Sequence, residues 1–257
     1  MTTTPRTVTS ADGSRIAFEQ TGDGPPVILV GGAFNDRTTV AELAATLAPD
    51  LTAIAHDRRG RGDSGDSPDY TLQREVEDLA ALIDHAGGSA SVFGHSSGGL
   101  LALEAARQGL AIDKLVIYEP PLTEPGRRSV LDRLRVLVKE DRRDEAAALF
   151  FTEHAGVPEA MISDMRAGPM WAWFAGLAHT LPYDVEICET VRLESLATIT
   201  VRTLTIGGGD SPPGLPEAAR AVAETIPGAR YLVLDGHDHS VLQRPADLRP
   251  ILLEFLA

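Results

Sequence analysis

Short runs of apolar and β-branched residues recur along this chain, and many are separated by longer stretches with apolar residues at every third or fourth position. Runs at 15–20, 27–30, 51–55, 90–93, 115–118, 203–206 and 231–234 have strand character and are bounded by Gly, Pro or Asp. Helical patterns occupy about 37–47, 72–85, 100–108, 217–225 and 246–256. In the second of these, Val76, Leu79, Ala80 and Ile83 fall on one face. Neighbouring parallel strands need a crossover of about a dozen residues or more, and the helical stretches supply it, so the fold class is α/β with a mostly parallel sheet. Between Pro120 and Thr190 the alternation stops, and the residues read as several helices rich in Leu, Ala, Met and Trp. The expected organisation is a core of residues 1–119 and 191–257 with a helical insertion at 120–190.

Composition narrows the functional classes. With 257 residues, 43% hydrophobic and 23% charged, the chain has an ordinary globular balance and enough length for one large core. Its net charge of −14 disfavours a nucleic-acid partner and would be repelled by anionic membrane surfaces. No run of about 18 apolar residues offers a membrane span, and the first residues carry no apolar segment of signal-peptide length. Cys188 is the sole cysteine, so neither an internal disulfide nor a thiolate metal cluster is expected. No His and carboxylate spacing suggests a metal. The expectation is a cytoplasmic protein, monomer or homodimer, that acts on a small molecule without a cofactor.

The run Gly94-His95-Ser96-Ser97-Gly98 lies where a strand passes directly into a helix. A serine hydroxyl is a weak nucleophile at neutral pH and needs both a base and a geometry that presents its oxygen. A tight strand-to-helix turn supplies the geometry, and its crowding requires residues without side chains, such as Gly94 and Gly98. A three-residue match is weak alone; its placement gives it weight. The competing reading, a Gly-rich nucleotide loop, lacks both Gly-x-Gly-x-x-Gly and a Walker lysine.

On these residues the chain resembles the α/β-hydrolase family along nearly its whole length. The segment Asp57-x-Arg59-Gly60-x-Gly62-x-Ser64 is similar to one the family carries after its fourth strand, where its role is chiefly structural. The resemblance implies an eight-stranded, mostly parallel sheet flanked by helices, with a helical cap inserted after the sixth strand. It also implies the chain order nucleophile, acid, histidine. Two histidines follow the last strand, His237 and His239; the setting Gly236-x-x-His239-x-Val241 favours His239 as base. The family position for the acid, after the next-to-last strand, falls on Asp210, with Glu119 past the preceding strand as the substitute.

Acyl transfer places negative charge on the substrate oxygen, which backbone amides can stabilise. The Ser97 amide, at the start of the helix after the turn, is one expected donor. Where many members of the family read His-Gly-x, this chain reads Gly31-Gly32-Ala33, so the resemblance makes the Ala33 amide the other. In the insertion, Met161, Met165, Trp171, Trp173 and Phe174 are the expected apolar pocket residues. The favoured activity is hydrolysis of a small to medium, largely apolar carboxylic ester or lactone through acyl-Ser96. The same side chains would also serve a C–C bond hydrolase or a cofactor-free perhydrolase. A further class is a non-hydrolytic binding protein, lyase or cyclase of natural-product metabolism on the same fold.

Overall fold

A computed structural model of the chain describes residues 5–67, 69–122 and 128–256. Eight strands form one sheet in the order β1-β2-β4-β3-β5-β6-β7-β8. They are β1 (Arg6–Thr9), β2 (Arg15–Thr21), β3 (Pro26–Val30), β4 (Thr52–His56), β5 (Ala90–His95), β6 (Ile112–Tyr118), β7 (Arg202–Gly208) and β8 (Arg230–Leu234). β2 runs antiparallel to β1 and β4, whereas every pairing from β4 through β8 is parallel. Seven of these strands follow the apolar runs read above. The first, Arg-Thr-Val-Thr, is mostly exposed and polar, so it carries no apolar signature; the turn at Asp12-Gly13 folds it onto β2.

Because side chains alternate across a strand, each central strand feeds two cores. In β3, Ile28 and Val30 point to one face, with Val76 and Leu79 of α2 (Leu72–His85) and Leu100 and Leu103 of α3 (Ser97–Arg107). Val27 and Leu29 point to the other, with Leu43 and Leu47 of α1 (Ala41–Leu47) and Leu248 and Leu252 near the carboxyl end of the chain. Burial on both faces explains why these strands read as continuous apolar runs.

Between β6 and β7 lie α4 (Arg128–Lys139), α5 (Arg143–Leu149), α6 (Glu159–Ala167), α7 (Trp171–Leu177) and α8 (Leu181–Thr190). They build a third apolar cluster from Leu134, Leu149, Phe150, Ile162, Trp171, Leu181 and Val185. Phe34, from the loop after β3, joins that cluster, and Arg58 and Arg61, from the loop after β4, bond Asp184 of α8. The inserted helices therefore sit at the carboxyl edge of the sheet, where parallel α/β sheets bind ligands. After β7 come α9 (Leu215–Thr225) and, closing the chain, α10 (Pro245–Leu256). No helix among the described residues is long and apolar enough to cross a membrane.

Candidate active site

Ser96 occupies the turn between β5 and α3 with φ 56° and ψ −130°, a left-handed conformation costly for a residue with a Cβ. Bonds on both sides impose it: Ser96 N–H donates to the Tyr118 carbonyl at 2.9 Å, and Gly99 N–H donates to the Ser96 carbonyl at 2.8 Å. The turn packs so closely that a Cβ on Gly98 would stand 2.4 Å from the Val30 carbonyl oxygen. Only glycine fits there, which gives the pattern read from the sequence its physical cause.

His239 lies in the loop between β8 and α10, its Nε2 3.0 Å from Ser96 Oγ. Its Nδ1 is 2.7 Å from Glu119 Oε2. A carboxylate only accepts, so Nδ1 carries the proton and Nε2 is left to accept from the Ser96 hydroxyl. Glu119 is completely buried, and its second oxygen accepts the Gly208 amide proton at 2.7 Å. Its own φ of 45° turns the chain sharply off β6, placing the carboxylate beside the end of β7.

Two neighbours hold the histidine loop. His95 Nε2 donates to the His239 carbonyl at 2.9 Å, and the Tyr118 hydroxyl donates to the Asp238 carbonyl at 2.7 Å. Burial, with the His239 imidazole nearby, pushes the His95 pKa down to about 3, so this ring is a neutral donor. Sequence reasoning gave neither residue a part, although His95 lies inside the nucleophile motif.

Two expectations need correction, Asp210 as the acid and Met161 as a pocket residue. Asp210 does not meet the imidazole: it is exposed, and its backbone N–H donates to the His237 carbonyl at 2.9 Å. The ends of β6 and β7 are adjacent in a parallel sheet, so a carboxylate on either can reach the same ring. Here the longer side chain on β6 fills the place. His237 faces elsewhere, its Nε2 3.0 Å from Asp247 Oδ2 and its Nδ1 2.9 Å from the Asp235 carbonyl. Met161 is 54% exposed and belongs to no buried wall. Trp171 is buried, with its indole N–H on Asp144 and its ring beside Phe151 and Phe174 at 6.2 and 6.4 Å.

The remaining residues lie as follows. The Gly31-Gly32-Ala33 loop runs beside the serine: a Cβ on Gly32 would stand 2.6 Å from Ser96 Cβ. The Gly32 amide is taken by Asn35 Oδ1 at 2.9 Å, and half-buried Ala33 follows it. Ser97 opens α3, with its amide at the positive end of the helix. Phe34, which sequence reasoning missed, joins this loop to the insertion: its ring stacks on Phe151 at 4.8 Å and meets Phe174 edge-on at 5.0 Å. The Trp173 indole donates to the Phe34 carbonyl at 2.9 Å. Met165, Trp173 and Phe174 are half-buried around this cluster. Among the described residues no group of three His, Cys, Asp or Glu side chains is arranged to hold a metal ion.

Residues 27–250 match the family model described as "Alpha/beta hydrolase family". An alpha/beta hydrolase from Sphaerobacter thermophilus DSM 20745 is similar in structure, with a TM-score of 0.91, 46% identity and coverage of 98% of this chain and 100% of that one. A thermophilic esterase from Thermogutta terrifontis has a TM-score of 0.77 at 25% identity, covering 99% and 98%. In sequence, the non-heme chloroperoxidase CPO-A1 of Kitasatospora aureofaciens is 27% identical, over 96% of this chain and 98% of its own length. The chain belongs to the α/β-hydrolase family and is a hydrolase.

Proposed function

We propose that the chain cleaves a small to medium, largely apolar carboxylic ester or lactone through an acyl-Ser96 intermediate. The observation that carries this reading is the unbroken line Ser96 Oγ, His239 Nε2 at 3.0 Å, His239 Nδ1 and Glu119 Oε2 at 2.7 Å. In the first half-reaction His239 takes the Ser96 proton as the oxygen attacks the carbonyl carbon, and Glu119 stabilises the imidazolium. The amides of Ala33 and Ser97 receive the charge on the carbonyl oxygen. Collapse breaks the bond to the leaving oxygen, which takes its proton from His239. Water, deprotonated by the same ring, then attacks the acyl carbon and frees the acid and Ser96.

The insertion at 120–190 acts in this reading as a cap over the core of 1–119 and 191–257. The aromatic cluster of Phe34, Phe151, Trp173 and Phe174, directly after the oxyanion loop, favours an apolar acyl or alcohol portion. The similarity to an esterase is consistent with this. A panel of p-nitrophenyl esters and lactones graded by acyl size tests it: turnover is expected for wild type and absent for Ser96→Ala. Turnover surviving that change would overturn the reading. The similarity to a non-heme chloroperoxidase favours one second reading, in which hydrogen peroxide replaces water as acceptor and the product is a peracid. Adding peroxide to an ester assay and measuring peracid separates the two.

A further inference from the structure

The loop after β4 carries three arginines, Arg58, Arg59 and Arg61, none more than 2% exposed. Arg59 is occupied away from the site, forked on Asp78 at 2.6 and 2.8 Å and bonded to Asp12 at 2.9 Å. Arg58 and Arg61 instead converge on Asp184, a buried carboxylate contributed by α8 of the insertion. Arg61 Nη2 donates to its two oxygens at 2.9 and 2.8 Å, and Arg58 Nη1 reaches Oδ1 at 2.8 Å. The Ser97 hydroxyl donates to that same oxygen at 2.7 Å. Arg58 is neutralised from its other side by Glu75, at 2.6 and 2.7 Å. Burial works against the charge on Asp184, but Arg61 and Arg58 outweigh it and hold the carboxyl below its ordinary range.

Part of the cluster points toward the oxyanion loop. Arg61 Nη1 donates to the Gly32 carbonyl and, at 3.0 Å, to the Asn35 carbonyl; Arg58 Nη1 lies 3.3 Å from the Gly31 carbonyl. In a trans peptide the C=O and N–H of one unit point in opposite directions. The peptide joining Gly32 to Ala33 has its oxygen drawn inward to Arg61, so its N–H, that of Ala33, points the other way. Ser97, whose amide is the other donor, has its side chain on Asp184. One carboxylate therefore ties down both peptides. A planar guanidinium can grip a carboxylate and a carbonyl together in fixed geometry, which an ammonium cannot reproduce.

We propose that Asp184, through Arg61 and Ser97, is a positioning residue for the oxyanion hole, and that α8 of the insertion thereby sets the geometry in which the transition state is stabilised. This rests on the acyl-Ser96 reading. Such a role differs from simple anchoring, since a buried ion pair is weak evidence for stability.

The test compares wild type with Arg61→Lys, Ser97→Ala and Asp184→Asn, each titrated with a p-nitrophenyl phosphonate so that rates refer to labelled Ser96. Ser97→Ala removes no charge and Arg61→Lys preserves it, so these two keep the test open if Asp184→Asn fails to fold. Removing one oxyanion donor costs ~10²–10³ in kcat, and displacing one is expected to cost about 10- to 100-fold. The expected result is that loss in kcat per labelled site, KM changed by less than about three-fold, and binding of phenylboronic acid weakened in step with kcat. Variants with lowered thermal stability but unchanged kcat per labelled site would overturn the proposal. Wild type that fails to label at Ser96 would instead overturn the acyl-serine reading, and this inference with it.

Discussion

The side chain that orients the imidazole is Glu119, and its position follows from strand adjacency. β6 and β7 end beside each other, so the ring of His239 stands within reach of either end. A glutamate on β6, turned by a positive φ, reaches it at 2.7 Å, while Asp210 on the β7 side remains in solvent. Glu119→Gln is expected to lower kcat by about 10³- to 10⁴-fold, because the amide no longer fixes the tautomer or stabilises the imidazolium. Asp210→Asn is expected to leave kcat within about two-fold, as an exposed substitution away from the reacting atoms. Steady-state kinetics on one p-nitrophenyl ester decides between them, and the reverse ranking would restore Asp210. The same assay separates the histidines: His239→Ala is expected to cost about 10⁵- to 10⁶-fold, and His237→Ala, whose ring is held by Asp247, far less.

At the scale of elements, the loop after β3 matters most, because it carries an expected oxyanion donor and the aromatic bridge to the insertion. Phe174→Ala opens the edge-on contacts with Phe34 and Phe151. It is expected to raise KM for long-chain esters several-fold while leaving kcat for an acetate nearly unchanged, measured across an acyl series; equal effects on all chain lengths would remove the cluster from substrate binding. The strands and helices around Ser96 were legible because burial on both faces leaves apolar runs, and because the strand-to-helix turn needs glycine where Gly98 meets the Val30 carbonyl. β1 was not legible, since its residues are polar and only pairing with β2 defines it. Choosing Glu119 over Asp210 required knowing which strand ends touch. The Arg61 and Asp184 contact joins residues 123 positions apart, and nothing local to either marks it. Met161 carries the same apolar signal as half-buried Met165 four residues on, yet it is 54% exposed, and nothing local to it marks the difference.

For the molecule as a whole, a neutral buried histidine at the end of β5 makes stability depend on acid. His95 has a pKa of about 3 when folded and near 6.5 when unfolded, so between these values the unfolded chain binds more protons. Its contribution is intact above pH 6.5 and erodes as the pH falls toward 3, by about 1.4 kcal/mol per unit. Urea unfolding at pH 7.5, 5.5 and 4.5 is expected to show a slope shallower by that amount in His95→Gln; identical slopes would mean that the ring is not buried neutral. In the proposed reading these elements converge to make Ser96 a covalent catalyst. Intact-protein and peptide mass spectrometry after brief exposure to a p-nitrophenyl phosphonate tests it most directly. A single adduct on Ser96 is predicted, formed rapidly by wild type and Asp210→Asn and slowly by Glu119→Gln. An unmodified wild-type Ser96, or an adduct on another residue, would contradict it.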